Sequence, residues 1–117
     1  MTLAVNLLAK YSQPDYYERM EKSAPHYKLP VIKDLIESGQ VRATKSAREG
    51  ATALGVNFDE MLVVVTSLTM SDFYKSMTTH ADHKVWQDVY HPATSVGEVY
   101  LKLTVVDDVL IGSFKKL

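Results

Sequence analysis

The residues best suited to chemistry lie in the C-terminal half of the chain. Val106-Asp107-Asp108-Val109 is polar only at its two central positions, which predicts a two-residue turn. Opposed residue numbers then sum to 215, pairing Val106 with Val109, Thr104 with Ile111, Lys102 with Ser113 and Tyr100 with Lys115. Val99, Leu101, Leu103 and Val105 fall on the other face with Leu110 and Phe114, so that face should meet the helices and leave Tyr100 and Lys115 open. Upstream, Phe73-Tyr74-Lys75-Ser76-Met77 and Val85-Trp86-Gln87-Asp88 flank a loop around His80 to His83. An odd number of loop residues places Lys75 and Gln87 on one face, and an even number separates them. On a shared face, Lys75, Gln87, Tyr100 and Lys115 would offer two ammonium groups, a phenol and an amide. Such a set suits a phosphodiester: ammonium groups offset charge building on a phosphorane, and a phenol or lysine moves the proton of an RNA 2′-hydroxyl. Cleavage by the adjacent hydroxyl needs no metal and leaves a 2′,3′-cyclic phosphate and a 5′-hydroxyl. Tyr74, Trp86, Tyr90 and Phe73 are rings on which unpaired bases could stack, and Lys102 is a further phosphate-binding candidate. An exposed Lys- and Tyr-rich sheet face without chemistry is the competing reading.

Other chemistry is poorly supported. No phosphate-binding glycine loop, His-Glu-x-x-His, Gly-x-Ser-x-Gly or Cys-x-x-Cys occurs, and the absence of cysteine removes disulfides, thiolate metal sites and cysteine nucleophiles together. His80-Ala-Asp82-His83 gathers two imidazoles and a carboxylate, but within one turn and without a second ligand group, so it reads first as a polar hairpin loop and second as a ligand or proton-transfer cluster. No cofactor is expected. Thirteen Lys and Arg against fourteen Asp and Glu give a net charge of -1, which lacks the basic excess of proteins that bind nucleic acid by bulk electrostatics. Any nucleic-acid site must be local.

The elements that must position these groups read as one α+β domain. In 117 residues, 46% hydrophobic and 23% charged, a single core can form without disulfides. Residues 1–19 read as a separate extension, and Met20-Glu21-Lys22 is a candidate native start. Pro30, the apolar stripe Val31, Ile32, Leu35 and Ile36, and Gly39 predict a helix over 30–38. Residues 40–43 read as a short extended piece. Ser46-x-x-Glu49 predicts a capping box opening a weakly apolar second helix that stops at Gly55. Asn57-x-x-Glu60 with Phe58, Met61, Leu62, Val65 and Leu68 predicts a third helix, although Val63-Val64-Val65 would also suit a strand. Segments 72–79, 85–90, 98–106 and 109–116 are β-rich with no helix between them, implying an antiparallel meander under the N-terminal helices. No run reaches the roughly 18 apolar residues of a membrane span and no signal peptide is evident, so a cytoplasmic address without membrane contact is the expectation.

Longer motifs carry a resemblance. Ser71-Asp-Phe-Tyr-Lys-Ser-Met-Thr-Thr79, Trp86-Gln-Asp-Val-Tyr90-x-Pro92, Gly97-x-Val-Tyr-Leu-Lys-Leu-Thr104 and Val109-Leu-Ile-x-Ser-Phe-Lys115 resemble the MqsR family of bacterial toxins, with the likeness running from Met20 through Pro25-His26 and Gly39-Gln-Val-Arg42 to the C-terminus. The resemblance implies a RelE-like α+β fold and a metal-independent endoribonuclease that cuts mRNA at GC-containing triplets and so inhibits translation. It also implies neutralisation by an adjacent-encoded, zinc-binding and DNA-binding antitoxin, with DNA contacted only through that partner. The family's catalytic positions fall on Lys75, Gln87, Tyr100 and Lys115, with the lysines and tyrosine for charge stabilisation and proton transfer and Gln87 for positioning. Departures are the N-terminal extension and His80, where the family leads one to expect an aromatic such as tyrosine. Two other readings stay open: a transcriptional regulator in which helices 30–38 and 46–54 form a helix-turn-helix, and an interaction module that binds a partner through a sheet edge.

Overall fold

A computed structural model describes residues 20–82 and 84–117; the expected extension 1–19 lies outside the described residues. In chain order the elements are β1 (Glu21–Lys22), α1 (Leu29–Glu37), β2 (Val41–Ala43), α2 (Lys45–Ala53), α3 (Phe58–Thr66), a 3-10 turn (Met70–Asp72), β3 (Phe73–Thr78), β4 (Trp86–Tyr90), β5 (Ala93–Thr94), β6 (Gly97–Val106) and β7 (Asp108–Lys116). Leu29, Ile32 and Ile36 form the buried stripe of α1, which stops where Gly39 turns left-handed at φ 81°. The reciprocal cap of α3 forms as expected, Asn57 N–H donating to Glu60 Oε1 at 2.9 Å and Glu60 N–H to Asn57 Oδ1 at 2.8 Å. Its valine run is helical, with Val65 fully buried and Val63 exposed. The cap of α2 differs from the expected Ser46 box: Thr44 is the N-cap, its Oγ1 accepting from Ala47 N–H at 3.0 Å. Thr44 takes the role because its backbone N–H is already held in extended geometry by the Ile111 carbonyl at 3.0 Å.

The strands form one sheet in the order β1-β3-β4-β6-β7-β2, with β5 paired beside β6. The expected antiparallel meander is β3-β4-β6-β7. The sheet is nevertheless mixed, because the extended piece after α1 becomes edge strand β2 and runs parallel to β7, Val41 opposite Val109 and Ala43 opposite Ile111. A three-residue segment is too short for its period to reveal a partner. Its insertion into the sheet between α1 and α2 also removes the helix-turn-helix reading, since those helices are not joined by a turn. All three helices cover one sheet face, where Ile32, Ala47, Ala51, Met61 and Val65 meet Tyr90, Leu101, Leu103, Ile111 and Phe114 in a single core. Among the described residues no helix is long and apolar enough to cross a membrane.

Two register shifts decide which side chains reach the other face. At the tip of β6 and β7 the connection is one residue, Asp107 at φ 67°, rather than two, so Val106 opposes Asp108 and Leu103 opposes Ile111. A bulge at Gly112 then adds one residue to β7, and Lys102 opposes Ser113, Leu101 opposes Phe114 and Tyr100 opposes Lys115. The predicted pairing therefore holds beyond the bulge and fails before it. Val109 and Ile111, expected on the open face, are fully buried, while Leu110, expected in the core, is on the other side and partly exposed. A second shift, at Tyr74, leaves Phe73 opposite Tyr90 but Lys75 opposite Val89.

The N-terminal segment is fastened to the helix-covered side of β4 by Asp88. This buried carboxylate accepts from His26 N–H at 3.0 Å, Tyr27 N–H at 2.9 Å and the Ser76 hydroxyl at 2.6 Å. Helix α2 lies so close to β7 that a Cβ at Gly50 would overlap the Phe114 carbonyl oxygen and touch Lys115 Cβ at 3.4 Å. Thr44 holds the other end of that contact, its hydroxyl donating to the Gly112 carbonyl at 3.1 Å. Thr44→Ala should cost about 1–2 kcal/mol through loss of the cap and the bulge contact. Gly50→Ala should cost roughly 1–3 kcal/mol through overpacking. Thermal unfolding checks both: each lost kcal/mol should lower Tm by about 4–8 °C.

Candidate active site

The sheet face left uncovered by the described helices carries the predicted group. Thr78 pairs with Trp86, so seven residues (79–85) lie between the paired ends of β3 and β4, an odd number. Lys75 opposite Val89 and Gln87 opposite Met77 consequently share a face, and Val89 opposite Lys102 extends that face to β6. Tyr100 opposite Lys115 completes it. The bulge at Tyr74 makes a second contribution by turning two successive side chains, Tyr74 and Lys75, away from the core while Phe73 packs edge-on against Tyr90 at 5.4 Å.

A row of three rings runs across this face. Tyr74 stacks on His91 with centroids 4.3 Å apart and planes at 19°, and His91 approaches Tyr100 at 5.8 Å, tilted by 42°. An ammonium group stands at each end: Lys75 Nζ lies 5.5 Å from the Tyr74 ring centroid and Lys115 Nζ lies 5.2 Å from that of Tyr100. Glu21 on β1 steadies Lys75 with a 2.8 Å ion pair, the lysine side chain keeping 28% exposure. Gln87 and Lys102 converge beside Gly112, where a Cβ would lie 3.7 Å from Lys102 Cε and 3.8 Å from Gln87 Nε2. The absence of a side chain at 112 leaves the space between them open. The arrangement is a shallow, cationic, aromatic strip, suited to an extended anionic chain with stackable rings.

Several expected members lie elsewhere. Tyr90 is fully buried in the core, so its ring has no surface to offer a base. Burial, reinforced by Asp88 and Asp72, pushes its phenol far above the usual tyrosine range and keeps it neutral. Trp86 projects to the opposite face, because side chains alternate and Gln87 points to the strip. There His26 stacks on it at 5.2 Å and 14°, and Lys22 Nζ sits 4.1 Å from its ring centroid. Burial and the neighbouring Lys22 hold the His26 imidazole below its ordinary pKa, against a smaller opposite pull from Asp88. In the β3–β4 loop Asp82 is occupied locally: its Oδ1 accepts from Lys84 N–H at 2.8 Å and its N–H donates to Thr79 Oγ1 at 2.8 Å. Its predicted companion His83 falls outside the described residues. Among the described residues no group of three or more His, Asp or Glu side chains could hold a metal ion.

His91 is the member that sequence reasoning missed. Alternation along β4 would have found it, since Gln87, Val89 and His91 fall on one face. A separate groove of about 390 Å³ between α3 and the β5–β6 turn is lined by Val56, Val63, Val64, Pro92 and Val96 among others, and has none of the lysines and phenols of the strip.

Comparison with known proteins agrees with the motifs that flank the strip. Residues 24–116 match the family described as motility quorum-sensing regulator, toxin of MqsA. The mRNA interferase toxin MqsR of Escherichia coli (strain K12) is 56% identical over 97 residues, which cover 83% of this chain and 99% of that relative. With the family match spanning all three helices and every strand but β1, the chain belongs to the MqsR toxin family.

Proposed function

We propose that the chain is an mRNA interferase whose active site is the strip formed by Lys75, Gln87, Tyr100 and Lys115, with Tyr74 and Lys102 contacting RNA. The observation that carries this reading is the row of rings bounded by ammonium groups on the uncovered sheet face. Single-stranded RNA is the polymer that such a face fits: phosphates meet Lys75, Lys102 and Lys115, and an unstacked base meets the exposed ring of Tyr74.

In the reaction the 2′-oxygen attacks the adjacent phosphorus while its proton passes to a base of the site. The P–O5′ bond breaks, and the 5′-oxygen takes a proton from an acid of the site, leaving a 2′,3′-cyclic phosphate and a 5′-hydroxyl. Tyr100 and the lysines supply the proton-transfer groups, and the same ammonium groups offset the charge gathering on phosphorus. Gln87 orients the nucleotide. These groups suffice without a bound cation. Cleavage at GC-containing sites, and neutralisation by a zinc-binding, DNA-binding antitoxin encoded beside the gene, follow from the family resemblance and complete the proposal.

Primer extension on a defined mRNA, incubated with purified protein in EDTA, is the direct test. Discrete breaks at GC-containing sites are expected, and intact RNA from a folded protein would overturn the reading. Lys75→Ala, Tyr100→Ala and Lys115→Ala should each lower the cleavage rate by roughly 10²-fold or more. Because these side chains are outside the core, thermal unfolding of the three variants should stay within about 0.5 kcal/mol of the parent. In a parallel reaction without EDTA, adding the adjacent-encoded antitoxin in equimolar amount should abolish the breaks, and chelation of that partner's zinc beforehand should restore them.

A further inference from the structure

His91 is held more firmly than any role in the reaction so far requires. Its neighbour Tyr90 is anchored in the core, its own backbone N–H donates to the Asp72 carbonyl at 2.8 Å, and Pro92 restricts its backbone to extended geometry. The Pro92 carbonyl in turn accepts from Val99 N–H at 3.1 Å, tying this corner to β6 one residue before Tyr100. The imidazole therefore enters the strip from a fixed point and lies between the two phenols, closer and flatter against Tyr74 than against Tyr100. Its Nε2 is buried and has no hydrogen-bond partner among the described residues. An orphaned polar atom under two rings costs stability, by about 1–3 kcal/mol in general, and an apolar ring would fill the same space without that cost.

We propose that His91 is a positioning residue of the active site, whose imidazole sets the orientation of Tyr100 during RNA cleavage. This rests on the assignment of the strip as the active site. The ring acts as a spacer that keeps the Tyr100 phenol at its place beside Lys115, and its Nε2 is a polar edge that phenylalanine would lack. Tyr74 and Lys75 on β3, Gln87 on β4, Tyr100 and Lys102 on β6 and Lys115 on β7 share this face with it, and Asp72 stands at the turn that its backbone contacts. Tyr100 is thus flanked by an ammonium group on one side and an imidazole on the other.

Two substitutions separate the ring from its nitrogens. Steady-state cleavage of a short single-stranded RNA containing one cut site is followed for the parent, His91→Ala and His91→Phe, with thermal unfolding of each. His91→Ala is expected to lower kcat by roughly 10- to 100-fold, since a small displacement of an acid–base group has that effect, while KM changes less than about threefold. His91→Phe is expected to unfold at or above the parent temperature yet to keep the low kcat, again with little change in KM. Parent-like kcat in either variant overturns the proposal, as does a loss that falls on KM rather than on kcat. If His91→Ala fails to fold, the phenylalanine variant decides alone. A parent protein that leaves the RNA intact would instead sink the active-site assignment and this proposal with it.

Discussion

Strict two-residue alternation along a β-strand would put the wrong side chains on the uncovered face, and two single-residue bulges correct it. Carried on from the tip, the register before Gly112 would place Phe114 opposite Tyr100 and send Lys115 toward the helices. The extra residue exchanges them, so Phe114 fills the core and Lys115 stands beside Tyr100. The bulge at Tyr74 makes the matching exchange on β3, sinking Phe73 and releasing Tyr74 and Lys75. Core packing and site geometry are therefore set by the same two irregularities, which lie on strands at opposite sides of the strip.

Such bulges interrupt the ladder, and the fold holds the one at Gly112 with particular contacts. The Gly112 carbonyl is taken by the Thr44 hydroxyl, the same atom that caps α2. Gly50 lets that helix sit directly on the Phe114 backbone. The segment from β2 through α2 thus acts as a brace behind the strand that carries Lys115, and β2 secures it by joining the sheet in parallel. On the far side Asp88 fixes the N-terminal segment, from which Glu21 reaches round the edge of β3 to Lys75. Lys75 and the strand that carries Lys115 are consequently held by groups that belong to neighbouring elements.

A site built on the middle of a sheet gains rigidity and gives up depth. Its groups project from paired strands rather than from loops, which limits their motion and suits a reaction in which the protein mainly orients a phosphodiester and supplies charge and protons. A shallow strip also fits an extended polymer better than an enclosed cavity would. The helix-covered face carries the rest of the aromatic and polar machinery in a structural role: Tyr90 in the core, Trp86 under His26 and Lys22.

The sequence by itself determined the α+β class, the three helices, the four-strand meander and the grouping of Tyr100 with Lys115, because hydrophobic period, capping residues and turn residues act over a few positions. The Tyr100–Lys115 pairing was legible only through two cancelling differences, a turn one residue shorter than Asp107-Asp108 suggests and a bulge one residue longer. The spacing of three between Ile111 and Phe114, both in the helix-covered core, marks the bulge at Gly112 in retrospect, since residues on one face of a regular strand differ by even numbers. What tertiary structure alone decided was the parallel docking of β2, the choice of Thr44 over Ser46 as helix cap, the burial of Tyr90 and the placing of His91 between Tyr74 and Tyr100. Each depends on a partner distant in the chain, and local periodicity contains no information about which distant strand or helix will arrive.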